Sequence, residues 1–286
     1  TVDKLESSFA AKRIGAPLVI RNIADMIERH FAEQPRDWAP LVYCWRGGKR
    51  SGTLVWLLRD LWPGAGWGLL DSVGTPKAAY YYLKRAFKPL GLGITDEGCN
   101  GLYLHAINES AQPRDVTVQA ALYRHGEIKV ADGKISTALS PRGNAEIPLN
   151  RLFPGFLDTS YAYRFGPPPC DLVVARFGAC EAFHFPAGRP STRELDLGLE
   201  AQGHLLDDGD ALLTLRTRRF AQAVSIEAEG FAPDDDHFHL APGATRIVRL
   251  RRTGTRPLRG AVSALNAEAP SRIAVVPCPT GEPVSR

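Results

Sequence analysis

The sequence predicts a mainly β chain: two immunoglobulin-like β-sandwich domains in series, preceded by a small α/β segment. Three observations carry that reading. From Leu90 onward, short runs alternate apolar and polar residues, as strands with one buried face do. Gly and Pro clusters separate those runs, as in antiparallel sandwiches. Before Leu90 the pattern differs, with helical spacing and nearly all-apolar stretches.

Taken in order, residues 1–52 read as α/β. Leu18, Val19, Ile23, Met26, Ile27 and Phe31 recur at helical spacing, and Gln34-Pro35-Arg36-Asp37 breaks the helix. Leu41-Val42-Tyr43-Cys44 is a short strand that runs into Arg46-Gly47-Gly48-Lys49-Arg50-Ser51. A second unit spans 53–89. Residues 53–58 are almost wholly apolar, as in a strand covered on both faces. A Gly/Pro-rich loop follows over 62–68. A helix is then predicted from Pro76, with proline in its first turn, to about Lys88, where Pro89 stops it. The alternating runs beyond are 101–107, 116–123, 172–177, 211–215, 223–228 and 246–250. They divide into domains over 90–190 and 191–286, with the break in the loop Pro186-Ala187-Gly188-Arg189-Pro190. No repeat relates the two.

Composition narrows the function classes. At 286 residues, 44% hydrophobic and 23% charged, the chain can bury a core and is not disordered material. A net charge of +4 without a dense Lys/Arg stripe does not call for a nucleic-acid partner. Arg246, Arg249, Arg251 and Arg252 alternate with apolar residues and read as the solvated face of a strand. Cys44, Cys99, Cys170, Cys180 and Cys278 are an odd, sparse set without Cys-x-x-Cys, so no disulfide framework is expected. A reducing, cytoplasmic setting follows as an expectation. Cys170 and Cys180 are expected as two buried thiols across a hairpin. No stretch reaches the ~18 apolar residues of a membrane helix, so no membrane partner is expected. No signal-peptide pattern is visible, and the chain opens on Thr1 rather than Met. His237 and His239, with His184 elsewhere, are expected to be packing residues rather than metal ligands, and no cofactor is implied.

Three separated blocks carry a family resemblance. The first is Gly52-Thr53-Leu54-Val55-Trp56-Leu57-Leu58-Arg59-Asp60-Leu61-Trp62-Pro63-Gly64-Ala65-Gly66-Trp67. The second is Leu70-Asp71 with Thr75-Pro76-Lys77-Ala78-Ala79-Tyr80-Tyr81. The third is Phe220-Ala221-Gln222, Gly230-Phe231, Asp236 and Phe238-His239-Leu240-Ala241-Pro242-Gly243. In this order they resemble the C-terminal part of family-two glycoside hydrolases, most of all the β-mannosidase branch. The resemblance implies that 53–89 is the last strand and helix of a (β/α)8 barrel, and that the chain closes on an immunoglobulin-like module. Barrel active sites sit at the C-terminal ends of the strands, and aromatic rings suit the C–H faces of sugars. Trp56, Asp60, Trp62 and Trp67 are therefore the expected contacts to a carbohydrate, a β-mannoside. Trp56 and Trp67 read equally well as core aromatics. The family often has Asn where this chain has Arg59.

Retaining glycosidases need two carboxylates ~5–5.5 Å apart. In this family both are glutamates on strands before the last one. Upstream of Trp56 stand only Asp3, Glu6, Asp25, Glu28, Glu33 and Asp37, none in such a motif. Asp234-Asp235-Asp236 reads as a polar turn before a strand. No catalytic pair is expected, and the chain alone is expected to be inactive.

Residues 1–52 carry a second resemblance. Ala10-Ala11-Lys12-Arg13-Ile14-Gly15-Ala16 and Leu41-Val42-Tyr43-Cys44-Trp45-Arg46-Gly47-Gly48-Lys49-Arg50-Ser51 resemble the rhodanese-type domain of tRNA 2-selenouridine synthase. That resemblance implies sulfur or selenium transfer to tRNA through Cys44. Arg46, Gly47, Gly48 and Arg50 would form the anion-stabilising loop that lowers a thiol pKa. The segment is about half a rhodanese domain in length, and no Gly-x-x-x-x-Gly-Lys-Ser/Thr follows. The two resemblances place a join of two gene pieces at Ser51-Gly52. A third class is a non-catalytic β-sandwich interaction module.

Overall fold

A computed structural model describes residues 58–64 and 66–276. They fall in two compact units, one ending at Phe87 and one beginning at Lys88.

In the first unit, Arg59 bridges Leu70 in parallel and Leu70 bridges Pro76 in antiparallel fashion. Helix α1 (Ala78–Ala86) follows. It begins two residues later than the Pro76 expected from sequence, because Pro76 is held extended by its bridge to Leu70. Lys77 also stays outside the helix, donating its N–H to the Leu69 carbonyl at 2.8 Å. Lys84 and Arg85 occupy the last turn, where cations oppose the helix dipole.

The second unit opens with β1 (Leu90–Asp96), β2 (Leu102–Asn108), β3 (Arg114–Arg124), β4 (Ile128–Leu139), β5 (Gly143–Pro148), β6 (Leu172–Phe177) and β7 (Cys180–His184). They form two sheets, β1-β2-β5 and β4-β3-β6-β7, with all pairs antiparallel. On β2 the alternate residues Leu102, Leu104 and Ala106 are buried, as period two requires. They meet Val118, Ala120 and Leu122 of β3 in one core. Asn108 ends that row, and its side chain is used to fasten loops. Its amide donates to the Gln112 and Ser140 carbonyls at 2.8 and 3.1 Å, and its oxygen accepts from Ser110.

Strands β8 (Glu200–Leu205), β9 (Ala211–Arg216), β10 (Ala221–Ala228), β11 (Phe231–Pro233), β12 (Phe238–Leu240), β13 (Thr245–Arg252), β14 (Gly260–Ser263) and β15 (Ser271–Val275) follow. They make one continuous eight-stranded sheet, β11-β13-β9-β8-β15-β14-β10-β12, curled over a common core. The link is β15, parallel to β8 on one side and antiparallel to β14 on the other.

The arginines of β13 correct one expectation. Arg249 and Arg251 do face outward, but Arg246 and Arg252 share the parity of the buried Val248 and Leu250. They therefore lie at the rim of the core, Arg246 half-buried and Arg252 still exposed to solvent. The Arg246 guanidinium lies 4.1 Å over Phe238, and that of Arg252 lies 4.7 Å over Phe231. The acidic run is likewise more than a polar turn. Asp235 pairs with Arg246. Asp236, buried, accepts the N–H groups of Ile226 and His237 at 3.0 and 2.8 Å.

Strand β6 shows why Leu172-Val173-Val174-Ala175 has no polar alternation. Val173, Ala175 and Phe177 point into the core between the first two sheets. Leu172 and Val174 point the other way, against Phe220 and Ala241. Phe183, Phe185, Phe220 and His239 pack there with ring centroids 5.1–6.1 Å apart. Polar ties rim this seam. The Phe220 N–H donates to the Gly126 carbonyl at 2.7 Å, Arg219 donates to the His125 carbonyl at 2.8 Å, and Arg218 pairs with Glu127 at 2.9 Å.

Candidate functional site

Leu58 to Lys77 fold by a few backbone hydrogen bonds. The Asp60 N–H donates to the Leu70 carbonyl at 3.0 Å, and the Leu70 N–H donates to the Leu58 carbonyl at 2.8 Å. These bonds put the Asp60 side chain under the loop that follows it. Gly68 N–H donates to Asp60 Oδ1 at 2.8 Å, and Lys77 Nζ pairs with Oδ2. Lys77 Nζ also donates to the Gly66 carbonyl at 3.1 Å. The loop passes so close to the carboxylate that only glycine fits twice. A Cβ on Gly66 would strike the Asp60 carboxylate, and one on Gly68 would stand 2.6 Å from the Asp60 backbone nitrogen. Arg59 turns outward and donates to the Ser72 carbonyl at 2.6 Å.

That clamp has an electrostatic consequence. The Lys77 ammonium, with the Gly68 N–H, holds the Asp60 carboxyl below the usual carboxylate range. Asp71 is also lowered, chiefly by the Thr75 N–H at 2.7 Å and further by Val73 at 3.0 Å. These two are the only carboxylates between residues 58 and 87. Each is ionised at neutral pH and already accepts backbone N–H bonds.

The loop raises its rings into solvent. Trp62 is 72% exposed and Trp67 79% exposed. Trp67 is thus no core aromatic, the alternative its sequence context left open. The structure groups Asp60, Trp62 and Trp67 on one loop of the first unit. Trp56 lies outside the described residues, as do Cys44, Arg46, Gly47, Gly48 and Arg50. Lys77 was not singled out by sequence. Its ion pair spans 17 positions, and no local pattern signals such a contact.

His239 serves packing. The His239 Nδ1 accepts the Ala223 N–H at 2.9 Å, supporting a bulge in β10 where Ala223 has φ 45°. Among the described residues, no three His, Cys, Asp or Glu side chains cluster as metal ligands would. Cys170 and Cys180 are free thiols, and burial pushes Cys170 up to about 12, far from a reactive thiolate. No described helix is long and apolar enough to cross a membrane.

No family model matches the chain. It is similar to β-mannosidase B of Aspergillus clavatus, 24% identical over 272 residues, covering 87% of this chain and 32% of that protein. The Neosartorya fischeri β-mannosidase B is 28% identical over 274 residues with the same coverage. The chain thus spans about a third of the length of the curated relatives it matches. A match over 87% of the chain is longer than residues 53–286, so it takes in part of what precedes residue 53. Nothing in these relatives supports a rhodanese-like reading there. Among solved structures, the β-D-mannosidase of Dictyoglomus thermophilum superposes with a TM-score of 0.57 at 15% identity, over 74% of this chain and 26% of that one. The exo-chitosanase CsxA of Amycolatopsis orientalis superposes with a TM-score of 0.53 at 16% identity, over 77% and 30%. The chain is β-mannosidase-like in sequence, and its β-sandwich fold is shared with these glycosidases.

Proposed function

We propose that the chain is the C-terminal portion of a β-mannosidase-like glycosidase, that its Asp60–Trp67 loop contacts a β-mannoside, and that alone it does not cleave one. One observation carries this: Trp62 and Trp67 stand 72% and 79% exposed on a loop pinned from beneath by Asp60 and Lys77. Exposed rings on a fastened loop offer flat apolar area without the entropic cost of ordering it on binding.

The same geometry argues against autonomous catalysis. A retaining mechanism needs a nucleophilic carboxylate and a second carboxyl of raised pKa. Asp60 and Asp71 are both lowered, so neither holds a proton to donate at neutral pH. In a longer enzyme the loop would orient the sugar while carboxylates from preceding strands did the chemistry. Orientation lowers the entropic part of a barrier but breaks no bond.

Tryptophan emission tests the reading, since all five tryptophans lie at or before residue 67. Titration with mannobiose should change emission saturably in the full chain. The double substitution Trp62→Ala and Trp67→Ala should abolish most of that change. An unchanged titration curve in the double variant would remove these rings from the site.

A further inference from the structure

The segment 156–165, between the 3-10 turn Leu149–Leu152 and β6, inverts the usual burial order. Its small polar residues Thr159 and Ser160 are inside, at 1% and 9% exposure. Three of its rings are outside, Phe156 at 67%, Tyr163 at 43% and Phe165 at 85%, while Tyr161 is half-buried. Isolated exposed apolar residues need no explanation, but three in contact do. Phe156 meets Tyr163 edge-on at 5.6 Å, and Tyr163 stacks on Phe165 at 6.1 Å with planes 19° apart.

The loop is fastened in that form. The Asp158 carboxylate accepts the N–H groups of Ala162, Tyr163 and Arg164 at 2.9, 3.0 and 3.3 Å. The Tyr163 hydroxyl donates to the Cys99 carbonyl at 3.0 Å, and the Ser160 hydroxyl to the Gly98 carbonyl at 2.9 Å. Tyr161 and Arg164 both sit at φ 54°, a conformation that side chains rarely adopt and that these bonds maintain. The rings are therefore displayed by a built loop, not by a slack one.

Area decides what the rings fit. At about 200 Å² per full aromatic side chain, the three expose about 400 Å². A stable protein partner needs about 800 Å² on each side. A pyranose ring offers a small, flat C–H face of the right scale, with hydroxyls left at its rim for water. We propose that Phe156, Tyr163 and Phe165 form a second sugar-stacking platform, taking a pyranose of a β-linked mannan chain, with Phe165 as the outermost ring. This rests on the reading that the protein handles β-mannosides, and it adds a polymer contact separate from the Trp62–Trp67 loop.

Affinity electrophoresis of the full chain through gels containing soluble β-mannan tests it, with mannobiose emission titration run in parallel. The wild type should be retarded by the polysaccharide. Phe165→Ala should weaken retention about fivefold, the size of one lost aromatic contact. Phe165→Tyr, which keeps the ring, should retain it. Both variants should keep the wild-type circular dichroism and the wild-type emission titration, because no tryptophan lies beyond residue 67. Retention equal to wild type in Phe165→Ala would overturn the platform while leaving the tryptophan loop standing. Absence of wild-type retention together with a saturable emission change would also overturn the platform alone. A concentration-dependent dimer lost on Phe165→Ala would show a protein-docking surface instead and overturn the sugar assignment.

Discussion

Replacing Phe220 by alanine should uncouple the two sandwiches. Phe220 is 3% exposed and touches groups from both: Phe183 at 6.0 Å and Phe185 at 5.4 Å on one side, His239 at 5.5 Å on the other. Deleting a buried phenylalanine costs about 3–5 kcal/mol, the loss of buried apolar area plus the cavity left behind. The neighbours cannot collapse easily here, since Leu172 and Val174 are fixed by strand pairing on β6. A value near 4 kcal/mol is therefore expected. With a urea dependence of about 2 kcal/mol per molar, the midpoint should fall by about 2 M. Because the lost contact is the seam between two cores, the unfolding of the two sandwiches should also separate or broaden relative to the wild type. Far-ultraviolet circular dichroism is the suitable signal, since tryptophan emission reports only on residues up to 67. A midpoint shift below about 0.3 M with an unchanged slope would refute the claim that this cluster joins the sandwiches.

Other substitutions probe other parts. Asp236→Ala should cost about 1–3 kcal/mol by stranding the Ile226 and His237 N–H groups, whereas Asp236→Asn, which keeps the acceptor, should cost much less in the same urea series. Gly68→Ala should abolish the mannobiose emission change without moving the sandwich unfolding midpoint, because its Cβ would strike the backbone of Asp60 and Leu70. The Asp210 carboxyl is held below its ordinary range, first by the Arg252 N–H at 2.9 Å and then by Arg249. A depressed carboxyl adds stability above about pH 4 and loses it as the pH falls further. Asp210→Asn should therefore flatten the acid limb of a melting-temperature profile and leave its slope near neutrality unchanged.

What the sequence revealed follows from strand position. The runs 101–107, 116–123, 172–177, 211–215, 223–228 and 246–250 correspond to β2, β3, β6, β9, β10 and β13, each flanked by neighbours on both sides. Interior strands bury at least one face, so their apolar residues keep period two where the other face is solvated and run on where, as in β6, both faces are covered. The edge strand β4 is different: Ile128-Lys129-Val130-Ala131-Asp132-Gly133-Lys134 has mostly exposed residues, and nothing in it marks a twelve-residue strand. β1 carries Gly91 and Gly93 in place of side chains that would show an alternation. The candidate site was legible in part for a similar reason. Trp62, Trp67 and Asp60 stand out by type within a Gly/Pro loop, but Lys77, which completes the clamp, is an ordinary residue ahead of a helix. The grouping of Phe156, Tyr163 and Phe165 is not legible in sequence, because the rings are spaced irregularly and are brought together by turns at Tyr161 and Arg164.

We propose that this chain holds β-mannosides without hydrolysing them, residues 58–87 offering only two pinned, ionised carboxylates. Incubating pure protein with p-nitrophenyl β-mannoside and following nitrophenolate release tests it most directly. Release should be no faster than in buffer alone. Turnover that co-purifies with the full chain and disappears on substitution of one of its own acidic residues would contradict it.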